Sequence, residues 1–128
     1  MVRHHSHHGL AANWFSGIGV GEAYLCRVVQ LGLIRLLGNR AVMGPHVVPA
    51  GIAWLAIETF LQDERIGFAP EPPLDLVFPT LLKYPVPTNK LVGDAYLAAF
   101  SIAASLQFVT LDRGFRQFAE IDLLLLEL

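Results

Sequence analysis

Apolar residues fall at helical spacing in several stretches of the chain, and short apolar runs of strand length lie between them. Residues 4–16 place Leu10 and Trp14, with Phe15 beside them, on one helical face, and Gly17, Gly19 and Gly21 then break the pattern. Residues 23–29 (AYLCRVV) predict a strand. From Gln30, QLGLIRLLGN predicts a helix with Leu33, Leu36 and Leu37 facing inward, stopped near Gly38 and Asn39. Pro49 suits the first turn of the next helix, PAGIAWLAIETFLQD, whose predicted apolar stripe is Ile52, Leu55, Ala56, Thr59 and Phe60. Residues 66–69 predict a short strand, and a helix from Leu74 to Tyr84 follows, bent or split by Pro79. Asn89 is placed to cap a helix over 90–105 that buries Leu91, Ala95, Ala98 and Ile102. Residues 107–111 predict a buried strand. A last strand is expected near 121–126, where pattern alone also allows a helix. This alternation predicts the α/β class with a parallel sheet.

A chain of 128 residues has room for one core, so a single domain over 1–128 is expected. Its hydrophobic content of 54% against 16% charged predicts elements buried on one or both faces, and an apolar partner surface. The net charge of −2 gives no overall basic balance, so any contact with a nucleic acid rests on a local patch. Cys26 is the only cysteine and forms no internal disulfide. The N-terminus carries histidines where a signal peptide needs an apolar core. The uncharged stretch Ala95–Leu111 is interrupted by Ser101, Ser105, Gln107 and Thr110 and is too short to span a bilayer. A cytoplasmic location without membrane attachment is the resulting expectation.

Two carboxylates stand out by position. Asp94 lies next to the apolar face of its helix, between Leu91 and Ala98. Asp112 follows a predicted buried strand and begins a turn through Gly114, and ligand sites in open α/β sheets gather at such strand ends. Two acids brought together there repel unless a cation joins them, and Mg²⁺ or Mn²⁺ suits oxygen ligands. The same spacing also suits a partly exposed helix residue and a turn-forming Asp, and it does not choose between them.

The segments QLGLIRLLGNRAVMG (30–44), AWLAIETFLQDERIGFAPEPP (53–73), GDAYLAAFSIA (93–103) and TLDRGF (110–115) resemble the VapC-type PIN-domain family. The last two are the most specific, by their order and spacing. HHSHHGLAANWF resembles the helix after that family's first strand, so the likeness covers nearly the whole chain. The resemblance implies a PIN-like three-layer α/β/α fold with a central parallel sheet. It implies a small ribonuclease that holds Mg²⁺ or Mn²⁺ on acids and cleaves RNA, a cognate antitoxin protein, and a homodimer. By the same likeness Asp94 matches the acid of the late helix and Asp112 the acid after the fourth strand. Thr110 matches the neighbouring hydroxyl residue, which orients a ligand or water.

Two departures go with the resemblance. The family opens with a strand ending in Asp that has no counterpart here, which raises the expectation of a misplaced start codon or a truncated gene. The family's second acid aligns with Gln30, which offers a carbonyl oxygen but no charge. The rival expectation is therefore a catalytically degenerate or truncated PIN-like binding module. Glu22, Glu58 and Glu71 read as solvated or loop residues. His4 and His8 are four apart, as a helical metal pair requires, but no acid or cysteine lies near them. Arg35, Arg40, Lys90, Arg113 and Arg116 form a candidate basic rim, in which Arg113 and Arg116 beside Asp112 are placed to hold a phosphate, or are solvated surface charge. Trp14, Trp54, Phe60 and Phe100 read as packing residues. No Ser-His-Asp arrangement, P-loop or dinucleotide fingerprint occurs.

Overall fold

A computed structural model describes residues 13–83 and 88–127. The described residues form two units, 17–70 on one hand and 13–16 with 71–83 and 88–127 on the other.

In Gly17–Pro70, strand β1 (Ala23–Leu25) gives way at Cys26 to helix α1 (Arg27–Leu37), so the expected strand over 23–29 is only half as long as predicted. β-branched Val28 and Val29 suit a strand locally, but the ladder with β2 ends at Leu25 and the first helical hydrogen bond runs from Gln30 N–H to the Cys26 carbonyl. Helix α2 (Arg40–Met43), capped by the Asn39 side chain, and a 3₁₀ turn (Gly44–His46) lead to α3 (Ala50–Phe60) and β2 (Ile66–Phe68). Strands β1 and β2 pair in parallel, with Ala23 opposite Ile66 and Leu25 opposite Phe68. The intervening helices supply the crossover that a parallel pair needs. Helices α1 and α3 pack on each other.

Helix α3 turns differently from its expected stripe, whereas α1 keeps Leu33 and Leu37 half-buried and departs at one position. In α3 the buried residues are Ala53 and Ile57, while Ile52 and Leu55 are each 56% exposed and Phe60 is exposed too. This helix is apolar nearly all round, so its periodicity does not select a face; small Ala53 permits close packing and sets it. In α1, Leu36 is exposed and the buried position is Gln30.

The second unit is organised around helix α5 (Thr88–Ala103), which buries Leu91, Ala95, Ala98, Ala99 and Phe100. Asn89 lies inside this helix rather than at its cap. The helix ends where Ser105 adopts φ 56°, a left-handed conformation, and the Leu106 N–H returns to the Ser101 carbonyl at 2.8 Å. Ahead of it, α4 is confined to Phe78–Leu81. Pro79 sits in its first turn, where a missing N–H leaves no bond unmade, so the proline starts a helix instead of splitting one.

Strand β3 (Phe108–Thr110) pairs in parallel with β4 (Leu123–Leu125), and a 3₁₀ turn (Arg113–Gln117) lies in the connection. Phe115 from this turn and Phe118 directly after it enter the core with Leu74, Leu81, Leu91 and the alanines of α5. Phe108 stacks obliquely on Phe115, with ring centroids 4.5 Å apart. The parallel pairing and mixed elements agree with the predicted α/β class. Among the described residues no single helix is long and apolar enough to cross a membrane.

Candidate active site

Helix periodicity puts Lys90 and Asp94 on one face of α5, four residues apart. Asp112 arrives from a different element. Pairing of β3 with β4 fixes the strand end, and burial of Phe115 and Phe118 anchors the turn that follows. Between those anchors the Asp112 N–H donates to Thr110 Oγ1 at 3.1 Å, and Asp112 Oδ1 accepts the Gly114 N–H at 2.8 Å. Asp112 thereby caps the 3₁₀ turn, and its second oxygen is left to face Lys90.

Lys90 Nζ lies 3.1 Å from Asp94 Oδ2 and 3.3 Å from Asp112 Oδ2. The two aspartates singled out from sequence thus converge on one cation. Their surroundings differ: the side chain of Asp94 is 14% exposed, that of Asp112 45% and that of Lys90 55%. The ammonium donates a hydrogen bond to Asp112. Its approach to Asp94 is an ion pair out of line for a hydrogen bond, and Asp94 Oδ2 is buried without one. The Gly114 N–H holds the Asp112 carboxyl below its ordinary range; partial burial opposes this and Lys90 adds to it. Lys90 is held above its ordinary value, first by Asp94 and then by Asp112.

Thr110, the hydroxyl residue predicted beside the site, orients the Asp112 backbone. Arg113 and Arg116 are exposed and face Glu127: the Arg113 Nε is 4.0 Å from its carboxylate, and Arg116 is paired to the same oxygen. Gln30 belongs to the other unit, is 1% exposed, and accepts a hydrogen bond from Arg27 Nη1 at 2.6 Å. The Arg27 guanidinium lies over the rings of Phe68 and Trp54, at 5.0 and 5.7 Å. Glu71 is engaged rather than free, accepting from the Tyr96 hydroxyl at 2.6 Å. Phe100 packs in the core, as expected, and Phe60 does not. His4, His5, His7 and His8 lie outside the described residues. The sequence pattern places Lys90 only in a basic rim, although its spacing from Asp94 marks it as that residue's partner. Glu127 escapes the sequence pattern, because nothing local ties it to the arginines.

Among the described residues no three of His, Cys, Asp and Glu gather as a metal-holding group. The Asp94–Asp112 pair nonetheless fits a hard divalent ion. Two carboxylate oxygens from different elements face one cation position, one of them buried and without a hydrogen bond. An ion such as Mg²⁺ is commonly held by one or two carboxylates, with water completing its shell.

Residues 1–121 match the family model of the PIN domain. The chain belongs to the PIN-domain family, in its VapC-type branch. Ribonuclease VapC41 of Mycobacterium tuberculosis, in strain CDC 1551 / Oshkosh and again in strain ATCC 25618 / H37Rv, is 37% identical over 128 aligned residues. The alignment covers 95% of this chain and 88% of that protein.

Proposed function

We propose that the chain is a metal-dependent endoribonuclease of the VapC toxin type, hydrolysing RNA phosphodiesters and held in check by a cognate antitoxin protein. The observation that carries this reading is the convergence of Asp94 and Asp112 on one cation position. The likeness to a protein named ribonuclease supports it.

In this reading Asp94 and Asp112 hold Mg²⁺ or Mn²⁺. Such an ion lowers the pKa of an attacking water and steadies charge on the phosphodiester. Asp94 supplies a nearly buried charge, in surroundings that keep electrostatic attraction strong. Asp112 keeps one oxygen on the Gly114 N–H, so the other is fixed in direction. Arg113 and Arg116, which follow Asp112 in the chain, take a substrate phosphate by exchanging it for Glu127. Thr110 acts through the orientation of Asp112. A homodimer in the cytoplasm completes the proposal.

The test is incubation of the full chain with RNA and Mn²⁺ or Mg²⁺, beside Asp94→Asn, Asp112→Asn and a chelator control. Cleavage by the wild type alone, abolished by the chelator, is expected. A folded wild-type chain that cuts no RNA with either ion defeats the reading. That result favours the second one, a catalytically degenerate PIN-like binding module. The observation behind this alternative is Gln30, buried against Arg27 and uncharged where the family resemblance calls for an acid.

A further inference from the structure

The Lys90 ammonium occupies the point at which both site carboxylates are aimed. Two like charges from separate elements repel when brought this close, and a cation between them relieves the repulsion. Lysine is suited to the task, with a compact charge on a flexible stem and three donors to share. It is an imperfect occupant, however. One positive charge balances only one of the two carboxylates, and Asp94 Oδ2 is left buried without a hydrogen bond. A divalent ion balances both charges at once and binds carboxylate oxygens directly. Lys90 itself is more than half exposed, so its head group can leave for solvent without uncovering a packed surface.

We infer that Lys90 is a tethered counter-ion which holds Asp94 and Asp112 together until a divalent ion displaces it, and which thereby sets the affinity of the site for that ion. The inference rests on the reading that these two aspartates hold a metal, and it assigns Lys90 a positioning and gating role. A lysine that merely supports the fold affects the metal-free and metal-loaded protein equally. A displaceable counter-ion affects them oppositely: its removal weakens the metal-free protein and favours binding of the ion.

The experiment is calorimetric titration of the full chain with Mn²⁺ alone, with thermal unfolding at zero and saturating Mn²⁺. Wild type is compared with Lys90→Met, Lys90→Gln and Lys90→Arg. Both neutral variants are expected to bind Mn²⁺ about three- to tenfold more tightly, the scale of one or two partly exposed ion pairs removed as competitors. They are also expected to show a lower Tm without metal and a larger rise on adding it, while Lys90→Arg stays near wild type. Should wild type bind Mn²⁺ and the neutral variants bind it equally or more weakly, the counter-ion role is overturned and the metal site stands. Should neither wild type nor a folded neutral variant bind Mn²⁺, both the role and the metal reading fall. Two neutral replacements of different polarity guard against one that does not fold.

Discussion

Asp94 and Asp112 reach the same ammonium group by different routes, the first along one turn of its own helix and the second from a capped turn beyond a strand. This difference separates their roles in stability. Asp94→Asn removes a mostly buried charge whose lysine partner keeps Asp112, so the fold changes by less than about 1 kcal/mol. Asp112→Ala takes the cap from the 3₁₀ turn and is expected to lower stability by about 0.5–2 kcal/mol. Urea unfolding of the two variants measures the contrast. In the RNA assay both are expected to lose activity about 100-fold or more, the scale of removing one electrostatic stabiliser. Equal losses of stability contradict the assignment of the cap to Asp112.

Gly114 stands against the carboxylate it holds. A Cβ at this position lies 3.0 Å from Asp112 Oδ1, a tight contact that the carboxylate relieves only by shifting a few tenths of an ångström. Gly114→Ala therefore pushes the carboxylate aside while leaving the aromatic anchors in place. Mn²⁺ affinity is expected to fall about tenfold or more, as for other losses of a ligand's supporting contacts. The urea midpoint should shift little. A Gly114→Ala chain that titrates like the wild type shows that Asp112 does not need this turn to reach the ion.

Phe118 is 2% exposed and packs against Phe115, whereas Leu76 is 89% exposed. Phe118→Ala is expected to cost about 3–5 kcal/mol, from lost burial and the cavity left behind. Leu76→Ala is expected to stay within about 0.5 kcal/mol. Denaturant unfolding of both variants tests whether the aromatic turn anchors this unit. A small loss at Phe118 means that the buried ring does not hold the turn, and that Asp112 is positioned by something else.

Asp63 is held down to about 2 from an ordinary 3.8, chiefly by the Arg65 side chain and then by the Arg65 N–H. A carboxylate lowered by folding stabilises the fold fully above its unfolded value and loses that contribution as pH falls through its folded value. The difference in stability between wild type and Asp63→Asn is therefore expected to be constant near neutrality and to shrink between about pH 4 and pH 2. The pair is about one-third exposed, at 33% and 30%, so solvent screening keeps the effect small. Acid unfolding followed at several salt concentrations is the measurement. A difference that grows on acidification reverses the assigned sign.

Much of the secondary structure was legible in the sequence, and so were the two aspartates that converge on Lys90. The helix around Asp94, the strand before Asp112 and the parallel α/β class follow from spacing and order. The stripe of α3 did not, because an almost uniformly apolar helix gives periodicity nothing to choose between. The start of α1 was displaced because β-branched Val28 and Val29 suit a strand locally, while the ladder with β2 ends at Leu25, opposite Phe68.

The sequence by itself determined what is repeated within a few residues: the four-residue offset that joins Lys90 to Asp94, the alternation of elements, and the motifs that resemble PIN domains. Tertiary structure alone decided that Asp112 meets the same lysine, that Arg113 and Arg116 face Glu127, and that Gln30 is buried on Arg27. The reason is physical. Helical and strand periods constrain neighbours along the chain, whereas contacts between distant segments are fixed by parallel strand register and by which apolar faces pack.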